Sequence, residues 1–197
     1  MRIETGGRRS ARSRRIRELV LVVAVIAALT AGWPLINLAV SDRQPVPAGR
    51  TMSVGPNTAQ SARFTLGPGW SVQSAATDPR QEYVLRHGAE EMSLMYVTLA
   101  SPAEAVHLWA GLRKVLSLGD ASARLGKPRQ ITSARGRKGL TGLVTEDGRR
   151  GRAMIYPAPA GNFAIEMVSL GPRGAPPAGL AAALRVALSV MFPAAAR

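Results

Sequence analysis

Between Arg124 and Arg152 the chain carries nine basic side chains: Arg124, Lys127, Arg129, Arg135, Arg137, Lys138, Arg149, Arg150 and Arg152. Only Glu146 and Asp147 oppose them. Arg135, Arg137 and Lys138 flank one glycine-containing turn, and Arg149, Arg150 and Arg152 flank the next. Guanidinium and ammonium groups placed this way are suited to holding anions. These six residues are the candidate anion-binding set. Successive hairpin turns fall at opposite ends of a sheet, so the spacing predicts two patches. The stretch contains no aromatic residue, whereas single-stranded nucleic acid is held on aromatic platforms. No nucleic-acid partner is therefore expected; lipid headgroups, wall polymers or an acidic protein are the anionic candidates. The whole chain of 197 residues has a net charge of +14, and all but Lys114, Lys127 and Lys138 of its 26 basic residues are arginine. GC-rich coding also yields abundant Arg, Ala, Gly and Pro, so charge alone does not establish an anionic partner.

The other reactive residue types are sparse. His87 falls in an expected hairpin turn and His107 on an expected helix, and neither has a second ligand at His-x-x-x-His or Glu-x-x-His spacing. Met92 and Met95 are three apart on an expected strand, so they point to opposite faces and cannot converge on one ion. Gly126-Lys127 is followed by Pro128 where a phosphate loop needs Ser or Thr. No Gly-x-Ser-x-Gly elbow is present. Glu90-Glu91 and Glu146-Asp147 sit beside expected turns, and adjacent strand residues diverge, so both pairs read as solvated. The chain has no cysteine, which removes disulfides, thiolate metal sites and a lipid-carrying Cys. The expectation is a protein without catalytic residues, metal or cofactor.

The elements that must carry these residues begin with an apolar run. Leu19 to Val40 comprises 22 residues without a charge. As a helix it would reach ~33 Å, enough for a hydrocarbon core of roughly 30 Å. Seven arginines precede it and Trp33 lies toward its far end. The positive-inside bias places the N-terminus in the cytoplasm and the remainder outside the plasma membrane. The expected layout is a basic cytoplasmic segment over 1–18, a transmembrane helix over 19–40, a linker over 41–61 and an extracytoplasmic domain over 62–193. The small-x-small segment Ala39-Val40-Ser41 offers the alternative, a signal cleaved near Ser41 that releases a soluble ligand carrier. The length of the apolar run favours a retained anchor.

Within 62–193, Ala62 to Ser74 reads as extended chain broken at Gly67-Pro68-Gly69, with Trp70 as a core anchor. Tyr83 and Leu85, then Met92, Leu94 and Tyr96, alternate with their neighbours around the tip His87-Gly88-Ala89-Glu90, predicting a hairpin. Ser101, Pro102 and Glu104 form a capping-box pattern before Val106, Trp109, Leu112 and Leu116, which repeat at helical spacing. Gly119 is placed to end that helix. Four short extended runs follow between 129 and 170, separated by glycine-containing turns that favour antiparallel pairing. Phe163, Ile165 and Met167 share one face of the last. A final helix over about 177–191 carries Leu180, Leu184 and Leu188 as its packing stripe. The expected order is β-β-β-α-β-β-β-β-α, an α+β fold with one antiparallel sheet packed by two helices.

With "LGPGW", the hairpin residues "YVLRHG" and "MSLMYVTL", the capped helix and the terminal helix, the region 62–193 resembles the PsbP/Mog1-like group. The resemblance lies in element order and a Gly-x-x-Trp-like turn. It implies a small extracytoplasmic binding or assembly module behind a signal or anchor, without an established catalytic centre. This chain departs from the group's lipid-anchored members in lacking the lipid-carrying Cys.

Overall fold

Alternating apolar residues dominate the second half of the chain, and they build a sheet covered on both faces. The computed structural model describes residues 42–193. The expected cytoplasmic segment, the transmembrane helix and the cleavage site near Ser41 lie outside the described residues. Among the described residues no helix is long and apolar enough to cross a membrane.

Eleven strands and two helices follow in order: β1 Arg43–Pro45, β2 Thr51–Val54, β3 Ala62–Thr65, β4 Trp70–Gln73, β5 Glu82–His87, β6 Glu90–Thr98, α1 Ala105–Gly119, β7 Arg124–Leu125, β8 Arg129–Thr132, β9 Lys138–Glu146, β10 Arg149–Pro157, β11 Phe163–Gly171 and α2 Pro177–Leu188. Nine strands form one sheet in the order β1-β4-β5-β6-β11-β10-β9-β7, and β8 pairs with the same edge of β9. All its pairings are antiparallel. β2 and β3 form a separate two-stranded sheet. The fold is thus α+β with one large antiparallel sheet and two helices, as expected, but six strands precede α1 instead of three.

The additional strands lie largely in the region expected as a linker. β1 pairs with β4, β2 pairs with β3, and Val46 N–H donates to the Trp70 carbonyl at 2.9 Å. Strands of three and four residues are too short to display alternation, so their sequence reads as irregular.

The helices cover opposite faces. Met154 packs in the cluster that includes Ala182, Ala183, Val186 and Ala187 of α2. Its neighbours Ala153 and Ile155 pack with Leu108, Trp109 and Leu112 of α1. Consecutive strand residues alternate between faces, so the two clusters lie on either side of the sheet. β11 is sandwiched between them and buries every residue, with Phe163, Ile165 and Met167 on the α2 side as predicted.

Both helices correct the sequence in detail. α1 begins at Ala105, with Glu104 as an N-cap that makes no side-chain capping bond, so the Ser101–Glu104 box does not form. Pro102 instead lies against the β10–β11 turn, where a Cβ on Gly161 would come within 2.9 Å of its ring. Val106 is exposed, whereas Leu108 joins Trp109 and Leu112 in the core. In α2 the buried stripe is Ala182, Ala183, Val186 and Ala187. Leu180, Leu184 and Leu188 are only half-buried. Small side chains bring the helix axis close to the sheet, which leaves the larger leucines at its margins.

Candidate functional site

The β9–β10 hairpin closes with Asp147 and Gly148 at φ 44° and 68°, both left-handed, as a two-residue Asp-Gly turn requires. The β8–β9 turn lies at the opposite end of β9, held by Ser133 N–H donating to the Arg137 carbonyl at 2.8 Å. The two basic turns are therefore separate, and the six candidate residues divide further.

Arg149 is committed internally. It donates to the Leu170 carbonyl at 2.7 Å and lies 3.8 Å from Glu91, which also receives Arg86 at 2.9 Å. Lys138 pairs with Thr132 and shares the α1 face with Leu140, Gly142 and Val144. Arg135 and Arg137 line a cavity of about 500 Å³ beside Phe192, whose ring centre is 5.8 Å from the Arg137 guanidinium carbon.

Arg150 and Arg152 gather with residues outside the candidate set. Arg152 stands opposite Leu143, Arg150 opposite Thr145 and Arg129 opposite Thr141. Facing pairs share a side, so all three arginines leave the sheet on the α2 face, beyond the residues that α2 covers. Lys127, Arg129 and Arg152 line a cavity of about 270 Å³ with Thr141 and the exposed Leu143. No carboxylate lines it. Lys127, Arg129, Arg150 and Arg152 have no ion-pair partner among the described residues. Arg124 reaches the same face but folds back onto the carbonyls of Ala121 and Ala123, both at 2.8 Å.

The local sequence explains this concavity. β7 and β8 would be one edge strand but for Gly126-Lys127-Pro128. Pro128 cannot donate to a ladder, and the break turns Lys127 toward Arg129. Gly126 anchors the break, donating to the Leu143 carbonyl at 2.8 Å and accepting from the Trp109 indole at 3.2 Å. A Cβ on Gly142 would fall 2.7 Å from the Trp109 ring and 3.1 Å from the Lys127 carbonyl. Trp109 on α1 therefore supports, through the sheet edge, the loop that presents Lys127.

Two buried carboxyls were not anticipated. Glu90 was expected to be solvated but is 2% exposed. It sits beneath the first turn of α2, beside Gly171 and Gly179, which have no side chains to exclude it. Ser169 Oγ donates to its Oε1 at 3.3 Å, while Oε2 has no partner among the described residues. Desolvation raises its pKa, opposed by the Ser169 bond, Arg149 and His87. Glu166 faces α1's side between Met95 and Ile155 and is 8% exposed, and burial alone shifts its titration, with no side-chain hydrogen bond among the described residues. Burial pushes its carboxyl up to about 7. A lone carboxylate inside the apolar run Phe163–Leu170 was the available signal for it.

The remaining residues fall into structural places. His87 faces Glu90 across the β5–β6 hairpin, with its ring 5.2 Å from Trp70. His107 is exposed on α1. Met92 pairs with Ser169 and Met95 with Glu166, on opposite faces.

No family model matches the chain, and no curated protein matches it. Among solved structures, it is similar to the solution structure of cyanobacterial PsbP (CyanoP) from Synechocystis sp. PCC 6803. That likeness has a TM-score of 0.53 at 13% identity, over 76% of this chain and 96% of that one. A crystal structure from Bacteroides thetaiotaomicron VPI-5482 aligns with a TM-score of 0.39 at 13% identity, over 76% of this chain and 50% of that one. The chain thus resembles PsbP in its fold.

Proposed function

We propose that this protein is a single-pass membrane protein whose 19–40 helix anchors a small extracytoplasmic binding module, and that the module holds an anionic component of the cell envelope without catalysing a reaction. The observation that carries this reading is the convergence of Lys127, Arg129 and Arg152 on one concave, carboxylate-free surface, with Arg150 beside them. Cations brought together from two chain segments, presented by a sheet edge, suit a phosphate-bearing headgroup or wall polymer better than a scattered basic surface does. The PsbP-like fold is compatible with such an extrinsic module.

The test is sedimentation of the full chain, held in neutral-lipid nanodiscs, with wall fragments and with anionic or neutral vesicles. Near an anionic surface each basic group contributes on the order of 1 kcal/mol. Replacing Lys127, Arg129 and Arg152 with Gln should therefore weaken association roughly 100-fold, and 1 M salt should mimic the substitutions. Association that ignores both would end this reading. N-terminal sequencing of the membrane fraction tests the anchor, since a soluble product starting near Asp42 would favour the released carrier.

A further inference from the structure

Leu143 stands among the unpaired cations, on β9, and is 65% exposed. The other large apolar side chains so exposed among the described residues, Val106, Val115 and Leu118, all lie on α1. The ladder surrounds Leu143 with positive charge. Arg152 faces it directly, Arg150 and Arg124 flank it at the level of Thr145, and Arg129 does so at the level of Thr141. Strand residues two apart share a side, so all of these point the same way as the leucine. Diagonal neighbours on one face lie roughly 7–8 Å apart, near enough for long side chains to ring it. Lys127 joins from the loop, where Gly126 donates to the Leu143 carbonyl.

Few surfaces match an apolar side chain inside a ring of cations. A free phosphate or a hydrated wall polymer satisfies the cations and leaves Leu143 in water. An anionic bilayer offers phosphates to the cations and, just beneath them, an apolar acyl boundary to the leucine. The covalent layout points to the same occupant. β1 begins at Arg43 and is fixed to β4, while the apolar run ends at Val40. Three Cα steps of 3.8 Å, about 11 Å, separate the two. With 19–40 in the bilayer, so short a tether keeps the domain beside the lipid and away from the wall.

We propose that the Lys127–Arg129–Arg152 face docks on the anionic headgroups of the bilayer that holds the chain, with Leu143 entering the acyl boundary. This rests on the anchored, anion-binding reading above and commits it to lipid as the occupant. The tether sets nearness to the surface, and Leu143 with its cations sets which face is turned to it.

Because the chain has no cysteine, Leu143→Cys carries a single polarity-sensitive fluorophore in the full chain, reconstituted in nanodiscs of phosphatidylcholine alone or mixed with phosphatidylglycerol. In the mixed discs its emission should shift to the blue and be quenched by lipids spin-labelled near the headgroup end of the acyl chain. K127Q/R129Q/R152Q should abolish the shift, and a label at Val115→Cys on α1 should stay aqueous in both discs. In the sedimentation assay, Leu143→Ser should weaken association with anionic vesicles about tenfold and leave wall fragments unaffected. Melting curves of each variant verify folding. A label on Leu143→Cys that stays aqueous in the mixed discs, a shift at Val115→Cys instead, or a Leu143→Ser loss confined to wall fragments would overturn the lipid assignment. The anion site itself would still stand if association remained sensitive to salt and to K127Q/R129Q/R152Q. Association insensitive to both would overturn the site and the lipid assignment together.

Discussion

The two faces of the sheet solve the same packing problem differently. On one, α2 lies close through alanines over an apolar floor broken by Glu90 under its first turn, and cations appear beyond the helix, on Arg129, Arg150 and Arg152. On the other, α1 inserts one large plug, Trp109, and covers β7, β9 and β10. Toward β5 and β6 the face turns polar: Glu82 accepts from Ser93, Arg86 and Arg149 meet Glu91, and Glu166 is buried with no side-chain partner among the described residues. The α2 face thus keeps its edge cations unneutralised, whereas on the α1 face Arg86 and Arg149 are joined through Glu91 and Glu166 is left alone. Unpaired cations at a concave edge are available to a ligand, whereas charges joined within the face are part of the fold.

Removing the plug should have the largest effect. Trp109 is 2% exposed, and Trp109→Ala should cost about 3–5 kcal/mol, measured by denaturant unfolding. It also deletes the indole bond to Gly126, so it should weaken anion binding even at temperatures where the variant remains folded. Normal stability would show that α1 is not seated by its tryptophan.

The isolated acid should have an effect that depends on pH. Glu166 is raised from 4.5 to about 7 in the folded protein. The unfolded chain therefore loses this proton first, and stability falls as pH rises from about 4.5 through 7. The full loss above that window is on the order of 3 kcal/mol. Glu166→Gln should flatten this part of the stability–pH curve, leaving the variant more stable than the parent at pH 8. Thermal melts between pH 4 and 9 measure it, and parallel curves would mean that Glu166 is solvated.

The paired cations should matter least. Arg149→Gln removes a partly exposed contact with Glu91 and a hydrogen bond to the Leu170 carbonyl, for which about 1–2 kcal/mol together is expected. Anion binding should be almost unchanged, in contrast to the loss on replacing Lys127, Arg129 and Arg152. A comparable loss in both would erase the functional distinction between the faces.

Much of the fold was legible because its signals are local. The β5–β6 hairpin, the Asp-Gly turn between β9 and β10 and the Phe163–Met167 face are written in consecutive residues. β1 and β2 were hidden because their partners, β4 and β3, are about ten or more residues away and the strands are too short to alternate. The alanine stripe of α2 was hidden because Leu180, Leu184 and Leu188 give the stronger helical signal. The site was legible only in part. Arg150 and Arg152 were selected by charge at a turn, but Lys127 and Arg129 join them through β8–β9 register. The same charge criterion selected Arg149, which the fold turns toward Glu91.

Among the described residues the sheet has two edges, and both are poorly suited to extension. At one, β1 has three residues and ends in Pro45, followed closely by Pro47. At the other, Pro128 divides the edge into segments of two and four residues, each beginning with arginine. A long, flat edge invites another chain to add a strand, whether from a second copy or an unfolded neighbour. Here an incoming strand would meet a missing N–H and like charge before it could form a ladder. In a crowded compartment that keeps copies from zipping together edge to edge, and it leaves recognition to side chains on the faces and at the strand ends.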